Sequence, residues 1–343
     1  MNEKRPVVPE GLTPETRQLA VREQRPRAGN PQIRALIGVV WASLGSTFVV
    51  LAPVFSNVLV AFGFALAMSN EGRRGRVFAL LAVLAAGCAS TGLLYGVYGL
   101  PMTVLSVVCA YALALGYVTG RLHTGGFLLA AVAVALTMAG IDTVSASLQG
   151  TSIDKVFTSV IDQALEESWG SLDLDGTAAV LEAKETLVRY WPALYFVVGI
   201  SSALCSLLGA WLATRSGGAQ TQAGMLLRYD VPLVVAELFA LGVAAELLGP
   251  RLPQWQDEVA MVGANVVMCC RIALAQQGLS VLMWLMRKRS VSPFACALVV
   301  CLALWAELGF ACASVLGLLD VGINFRHLPR RRPDLIPRPT EVR

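Results

Sequence analysis

Apolar runs that approach or exceed the ~20 residues needed to cross a bilayer as helix recur along this chain from Ile33 to Leu319. Nothing else in the sequence constrains the fold as strongly. In hydrocarbon every backbone N–H and C=O must be satisfied within the protein, which leaves helices and closed barrels. Runs of this length select helices. Charged residues are 15% of the 343, against about 25% in ordinary soluble domains, and the mean hydropathy is +0.63. A soluble all-helical protein needs more polar surface than that. The sequence therefore predicts an all-α, polytopic transmembrane bundle embedded in the lipid bilayer.

Residues 1–32 are rich in Pro, Arg, Glu and Gln and read as a disordered tail. Seven basic residues up to Arg34 against four acids assign it to the cytoplasm. It lacks the apolar core of a signal peptide. Five N-terminal blocks occupy residues 33–148: Ile33 to Leu51, Val54 to Ser69, Val77 to Leu94, Tyr98 to Thr119, and Gly125 to Leu148. Pro53 and the short second block suggest a kinked or partly re-entrant hairpin. Arg73, Arg74 and Arg76, then Arg121 and His123, mark inside loops.

Residues 149–190 form the one sizeable insertion. Ile153, Val156, Phe157, Val160, Ile161, Ala164 and Leu165 recur at three and four, with Asp154, Asp162, Glu166 and Glu167 on other faces. That pattern predicts an amphipathic helix, followed by a second from about Thr177 to Arg189. Eight acids against three bases between Gly150 and Arg189 fit an extracytoplasmic hairpin, the natural lid for anything entering from outside. The Asp-x-Asp-Gly fragment at Asp173 to Gly176 lacks the remaining ligands of a calcium loop.

The C-terminal helices, residues 191–325, comprise Trp191 to Thr214, Tyr229 to Leu248, Val259 to Met286 and Val291 to Leu319. Pro192 is expected in a first turn, and Asp230 at a helix start. Val259 to Met286 is long for one upright crossing, so it is tilted or broken around Gln276-Gln277-Gly278. The count is eight or nine spans. Nine puts the basic tail, residues 326–343, outside. Arg326, Arg330, Arg331, Arg332, Arg338 and Arg343 favour the inside, and the short second block and long Val259 to Met286 are the suspects.

All eight cysteines lie in apolar blocks with no CxxC spacing, and His123 and His327 are far apart, so no metal site is expected. No nucleophile adjoins a plausible base, and HExxH and glycine-rich phosphate loops are absent. The sequence thus predicts no enzyme and no cofactor. Its basic residues flank membrane segments instead of gathering on one fold, which argues against nucleic acid.

The chemistry is confined to ionisable groups at membrane depth, where each needs a partner or a water-lined site. Arg271 and Glu307 fall near the midpoints of adjacent antiparallel blocks and can pair. Glu237 is a second candidate partner. Asp142 caps a helix, lines a shallow outer pocket or sits among headgroups. Asp142, Glu237, Arg271 and Glu307 are candidates for a ligand site or a structural ion pair, and the ligand reading expects an enclosed polar cavity lined by some of them. Asn265, Arg271 and Gln276 do not share one face of a regular helix. Asp320 and Arg326 frame the helix exit, where Asp320 can accept from free backbone groups or from Arg326 after a turn through Gly322. Gly38, Ala42 and Ser46, spaced by four, form a small-residue stripe for internal packing or for docking of a separate protein.

Trp191-Pro192, Trp211 with Arg215, Tyr229 to Pro232, Asn265, Gln277-Gly278, and Leu316 to Asp320 with Asn324-Phe325-Arg326 together resemble the YybS-like family of uncharacterised bacterial membrane proteins. The resemblance spans about Ile33 to Leu328, and the exit sequence is its most specific part. That family is distantly similar to the membrane-embedded substrate-binding components of energy-coupling-factor transporters. The resemblance implies a multi-pass protein of the bacterial cytoplasmic membrane. It makes the first five blocks, with the sixth, the part most like a substrate-binding component. It makes the Gly38, Ala42, Ser46 stripe the docking face of a membrane coupling partner. The expected function is a small-molecule substrate-binding or transport component, substrate unknown; the alternative is a non-transporting scaffold or assembly factor.

Overall fold

A chain that must satisfy its backbone locally turns its apolar runs into helices, and the computed structural model, which describes residues 30–68, 72–169, 174–216, 229–251 and 254–328, contains no strand among them. The amino tail, the basic loop after Ser216, the turn at 170–173 and the arginines beyond Leu328 lie outside the described residues. Eleven α-helices follow in order: α1 Pro31–Thr47, α2 Pro53–Met68, α3 Arg73–Tyr95, α4 Leu100–Val118, α5 Thr124–Leu148, α6 Ile153–Trp169, α7 Leu174–Ser216, α8 Leu233–Leu248, α9 Gln256–Lys288, α10 Pro293–Phe310 and α11 Cys312–Ile323.

Among the described residues, five helical segments are long and apolar enough to cross a bilayer: Arg73–Tyr95, Val97–Val118, Thr124–Leu148, Leu181–Thr214 and Gln256–Lys288. The bent pair Phe294–Phe310 and Cys312–Ile323 would make a sixth if counted as one span. α1, α2 and α8 hold 17, 16 and 16 residues. At about 1.5 Å per residue they reach about 24–26 Å, short of the ~30 Å hydrocarbon core. Length therefore does not by itself make them crossings.

α1 and α2 form an antiparallel hairpin. A Cβ on Gly38 would lie 2.5 Å from Gly63 O, so the two backbones touch. Ala42 is fully buried in this contact and Ser46 faces Gly87 of α3. The small-residue stripe is thus consumed inside the protein and offers no docking face. Neutral hydroxyl pairs tie the same region together: Thr47 to Ser90 at 2.9 Å and Thr91 to Thr103 at 2.9 Å. The first core lies among α1–α4 and the C-terminal half of α7, around Val60, Phe64, Val107 and Ala210. A second gathers Phe127, Ala131, Phe196, Ile200, Leu274 and Val321 from α5, α7, α9 and α11. α7 runs through both and joins them.

Two elements differ from the sequence-based expectation, and at a third one of its two alternatives falls away. The second arm of the insertion is no separate helix: Leu174–Ser216 is one helix of 43 residues, with Pro192 in its interior and not in a first turn. α9 is continuous through Gln276-Gln277-Gly278. Val291 to Leu319 is the stretch that breaks instead: Ala311 adopts a left-handed conformation, φ 53°, and α10 and α11 meet at 96°. The break sits at an alanine because neighbouring side chains cap both new helix ends, as described next.

Candidate functional site

The polar groups at depth assemble at three levels along the bundle. At the end of the bundle beside α6, α7 carries Pro192, which has no N–H to give and whose ring crowds the carbonyl one turn back. The next rung would run from Ala193 N–H to Arg189 O. Asn265 of α9 supplies partners to both groups: its Oδ1 accepts from Ala193 N at 3.0 Å, and its Nδ2 donates to Arg189 O at 3.0 Å and to Met261 O at 2.9 Å. One side-chain amide thus fastens α9 to the proline site of α7. Nearby, Arg189 Nη2 meets Glu246 Oε1 at 2.8 Å. Asp142 is exposed on α5 and its Oδ2 accepts from Tyr195 Oη at 2.5 Å. Tyr195 stands edge-on to Trp191, which in turn meets Phe157 of α6. α6 is therefore seated on α7 by its aromatic face, and a Lys184–Asp162 ion pair ties α6 to α7.

At the middle level, Arg271 Nε lies 2.8 Å from Glu307 Oε1. The pair also repairs the break at Ala311. Arg271 Nη2 donates to the Glu307 carbonyl in the last turn of α10, where a cation is favoured by the helix dipole. Glu307 Oε2 accepts Ser314 N–H at 2.9 Å, in the first turn of α11, where an anion is favoured. Ser314 Oγ has Arg271 O at 3.0 Å and Glu307 Oε1 at 2.5 Å within reach of its one proton. Glu237 is exposed on α8 and makes no ion pair among the described residues. It is not Arg271's partner.

At the end of the bundle opposite α6, four segments distant in sequence meet. Asp320 and Arg326 have fully buried side chains. Asp320 Oδ2 accepts from Arg326 Nη2 at 2.9 Å, Arg326 Nε at 3.1 Å and Gln277 Nε2 at 2.7 Å. The Gln277 amide also reaches Asp230 Oδ1 at 3.2 Å, while its Oε1 accepts Val231 N–H at 2.9 Å. Arg326 Nη2 donates to Tyr229 O at 2.7 Å, and Asp230 N–H to Thr124 Oγ1 at 3.1 Å. Asp230 thus serves in an extended link before α8, not at a helix start. The chain turns at Asn324, φ 57°, and not at Gly322. Asparagine tolerates that conformation, and its side chain closes on Leu328 through two bonds of 3.0 Å. α11 can lie this close to α9 because glycines face each other: a Cβ on Gly317 would sit 1.9 Å from Leu274 O, and one on Gly278 1.9 Å from Ala313 O.

The four charged candidates do not form one site. A cavity lies elsewhere, between α2, α4, α5 and α7, at the seam of the two cores. It is lined by Asn57, Ser106, Cys109, Leu113, Val134, Ser202, Ala203 and Ser206, none of them among the residues singled out from the sequence. Neutral serines and an asparagine in apolar runs give no spacing signal; only the packing of four helices brings them together. Asn57 is buried, its Nδ2 donates to Pro53 O at 2.7 Å, and its Oδ1 has no hydrogen-bond partner.

The motifs therefore converge physically: Pro192 with Asn265 at the end beside α6, and Tyr229 to Val231, Gln277, Asp320, Asn324 and Arg326 at the opposite end. No curated protein and no solved structure matches the chain. A family model described as "Predicted membrane protein (DUF2232)" matches residues 38–321, which include α2 to α10 whole and every residue of these networks up to Asp320, and the chain belongs to this family of membrane proteins.

Proposed function

We propose that the protein is a non-enzymatic, multi-pass component of a bacterial cytoplasmic membrane that binds a small molecule for transport. The observation that supports this is the water-sized cavity between α2, α4, α5 and α7, walled in part by Asn57, whose Oδ1 is buried and unsatisfied. An unpaired buried acceptor costs about 1–3 kcal/mol, and a binding site is one reason to keep one. The cavity falls within the five N-terminal blocks and the sixth, the portion that the resemblance to energy-coupling-factor substrate-binding components singles out. The capture site moves with it, away from Asp142, Glu237, Arg271 and Glu307 and onto neutral polar groups. α8 to α11 act as a brace, fastened by Asn265 at the end beside α6 and by Asp320 with Arg326 at the opposite end.

The topology that goes with this reading has eight crossings and a re-entrant pair. α1, α2, α3, α4, α5, α7, α8 and α9 cross, with the short members helped by local thinning of the bilayer. α6 lies on the extracytoplasmic face. α10 enters from the Arg287-Lys288-Arg289 side, and α11 returns to it. Non-helical backbone at such a turn is tolerated where protein buries it, as Arg271, Glu307 and Ser314 do.

A non-transporting scaffold is the second reading. It is favoured by the closed Arg271–Glu307 pair, in which the two charges satisfy each other. Purification of the full chain in mild detergent, with mass spectrometry of what accompanies it, separates the two. Recovery of an ATP-driven coupling module is expected. A stable partner unrelated to transport, with no such module, would favour the scaffold.

A further inference from the structure

Asp142 is the one ionisable side chain of α5, and the helix runs on past it only to Leu148, about 9 Å further along the axis. The residue is exposed. Its Oδ2 takes the Tyr195 hydroxyl proton at 2.5 Å, whereas Oδ1 has neither a hydrogen-bond partner nor an ion pair among the described residues. The cations that α7 carries at this end are spent elsewhere, Lys184 on Asp162 and Arg189 on Glu246. Asp142 therefore keeps an uncompensated charge near the end of a long apolar helix, where such a charge calls for a partner. Beside it stands a corner of aromatic rings. Trp191 and Tyr195 lie one turn apart on α7, with centroids 6.0 Å apart and planes at 84°. Phe157 of α6 adds a third ring, 6.3 Å from Trp191. All three residues are half-buried, so each keeps part of its surface open.

From this carboxylate and these rings we infer that the end of the bundle beside α6 binds an ammonium group, carried by a soluble amine or by a lipid headgroup, seated on Asp142 Oδ1 and against Tyr195 and Trp191. An anion would meet a carboxylate there. A calcium-like ion needs about six to eight oxygen ligands, and the described residues hold no cluster of three metal-binding groups. A guanidinium fork pairs with both carboxylate oxygens, and Tyr195 already holds one of them. An ammonium is a compact donor that a single oxygen satisfies, and an aromatic face attracts it within about 6 Å of the ring centroid. Trp and Tyr are also the residues that sit at headgroup level in a membrane, the depth at which a lipid ammonium is found. The site is apart from the cavity between α2, α4, α5 and α7 and does not rest on the transport reading.

The test uses the full chain in mild detergent and has two arms. Native mass spectrometry reads which lipid stays bound when phosphatidylethanolamine and phosphatidylglycerol are supplied in equal amounts. Tm of the lipid-stripped protein is followed against benzylamine, with sodium chloride at matched ionic strength as the reference. Saturable binding of the ammonium compound is expected in at least one arm, weakened about tenfold by Asp142→Asn, the scale of an exposed ion pair with a ring contact. Retention of phosphatidylethanolamine without a benzylamine response assigns the headgroup, and the reverse assigns a soluble amine. Tyr195→Phe removes the bond between α5 and α7 but leaves the carboxylate, so it is expected to keep the binding. A carboxylate that only ties the two helices would give equal Tm losses in Asp142→Asn and Tyr195→Phe and no preference for ammonium in either arm, which overturns the inference. Ammonium binding that Asp142→Asn leaves unchanged overturns it too. Should Asp142→Asn not fold, Trp191→Leu takes its place, with the same loss expected and unchanged binding again the overturning result.

Discussion

Arg271 and Glu307 show what a charge at depth needs in order to be tolerated. Their side chains are 30% and 13% exposed, and each does two jobs, pairing with the other and capping a helix end at Ala311. Removing one partner strands the other along with a backbone group. Arg271→Ala is expected to lower stability by about 2 kcal/mol, below the range for fully buried pairs because the arginine is partly exposed. Glu307→Gln in the same chain should cost less than the sum of the single changes. Folded yield and Tm in detergent provide the check, and equal values for both single variants and the wild type would sink the coupling. The sequence put these two residues at matching depth on neighbouring blocks, and the structure holds them 2.8 Å apart. What could not be read was their second role, because nothing in the run around Ala311 announces a break: no proline lies there, and an alanine at φ 53° is disfavoured by about 1–2 kcal/mol for its Cβ alone.

At the scale of elements, α7 and α9 are coupled by a proline on one and an asparagine on the other. Asn265→Ala leaves Ala193 N–H and Arg189 O without the amide and is expected to cost about 2–3 kcal/mol. Replacing Pro192 by alanine restores the N–H that bonds Val188 O and removes the ring's crowding, so that the helix can satisfy Ala193 N–H and Arg189 O by itself. Asn265→Ala should therefore cost much less in a Pro192→Ala background. A double-mutant cycle on Tm measures this directly; additive effects would mean that the amide is not compensating for the proline. Both residues were named from the sequence, Asn265 for its depth and Pro192 as an ordinary first-turn proline. Their connection was not, since Asn265 lies 72 residues from the Ala193 N–H that it accepts. The amphipathic period of α6 was fully legible, because three-and-four spacing is a local property. The fusion of its partner arm into α7 was not: a proline after an amphipathic stretch reads as a new start, unless a neighbouring helix supplies what the proline removes.

For the molecule as a whole, the contacts of Arg326 bear on the conflict over the basic tail. Arg326 is held by Tyr229 O and Asp320, and Asp230 by Thr124. The exit of the chain therefore sits beside the start of α5 and the link that follows the basic loop after α7. On the proposed re-entrant arrangement of α10 and α11, the chain leaves the bundle from the end that the positive-inside rule assigns to Arg73, Arg121 and Arg287. Green fluorescent protein fused after Arg343 is expected to fluoresce in cells, and alkaline phosphatase at the same place to be inactive. The opposite pattern would return α10 and α11 to a crossing.

The sequence by itself determined that this is a helical membrane protein, where its apolar runs begin and end to within a few residues, and which of its polar residues are out of place in hydrocarbon. Those are consequences of solvent and of local period, and they need no partner. The tertiary structure decided which groups satisfy which. Asn265 answers Pro192, Gln277 joins Asp230 to Asp320, and Asn57 walls a cavity that only the packing of four helices creates. The physical reason is that polar groups cannot turn to water at this depth. Their partners must come from neighbouring helices, and helix adjacency is set by where glycines such as Gly278 and Gly317 let backbones touch.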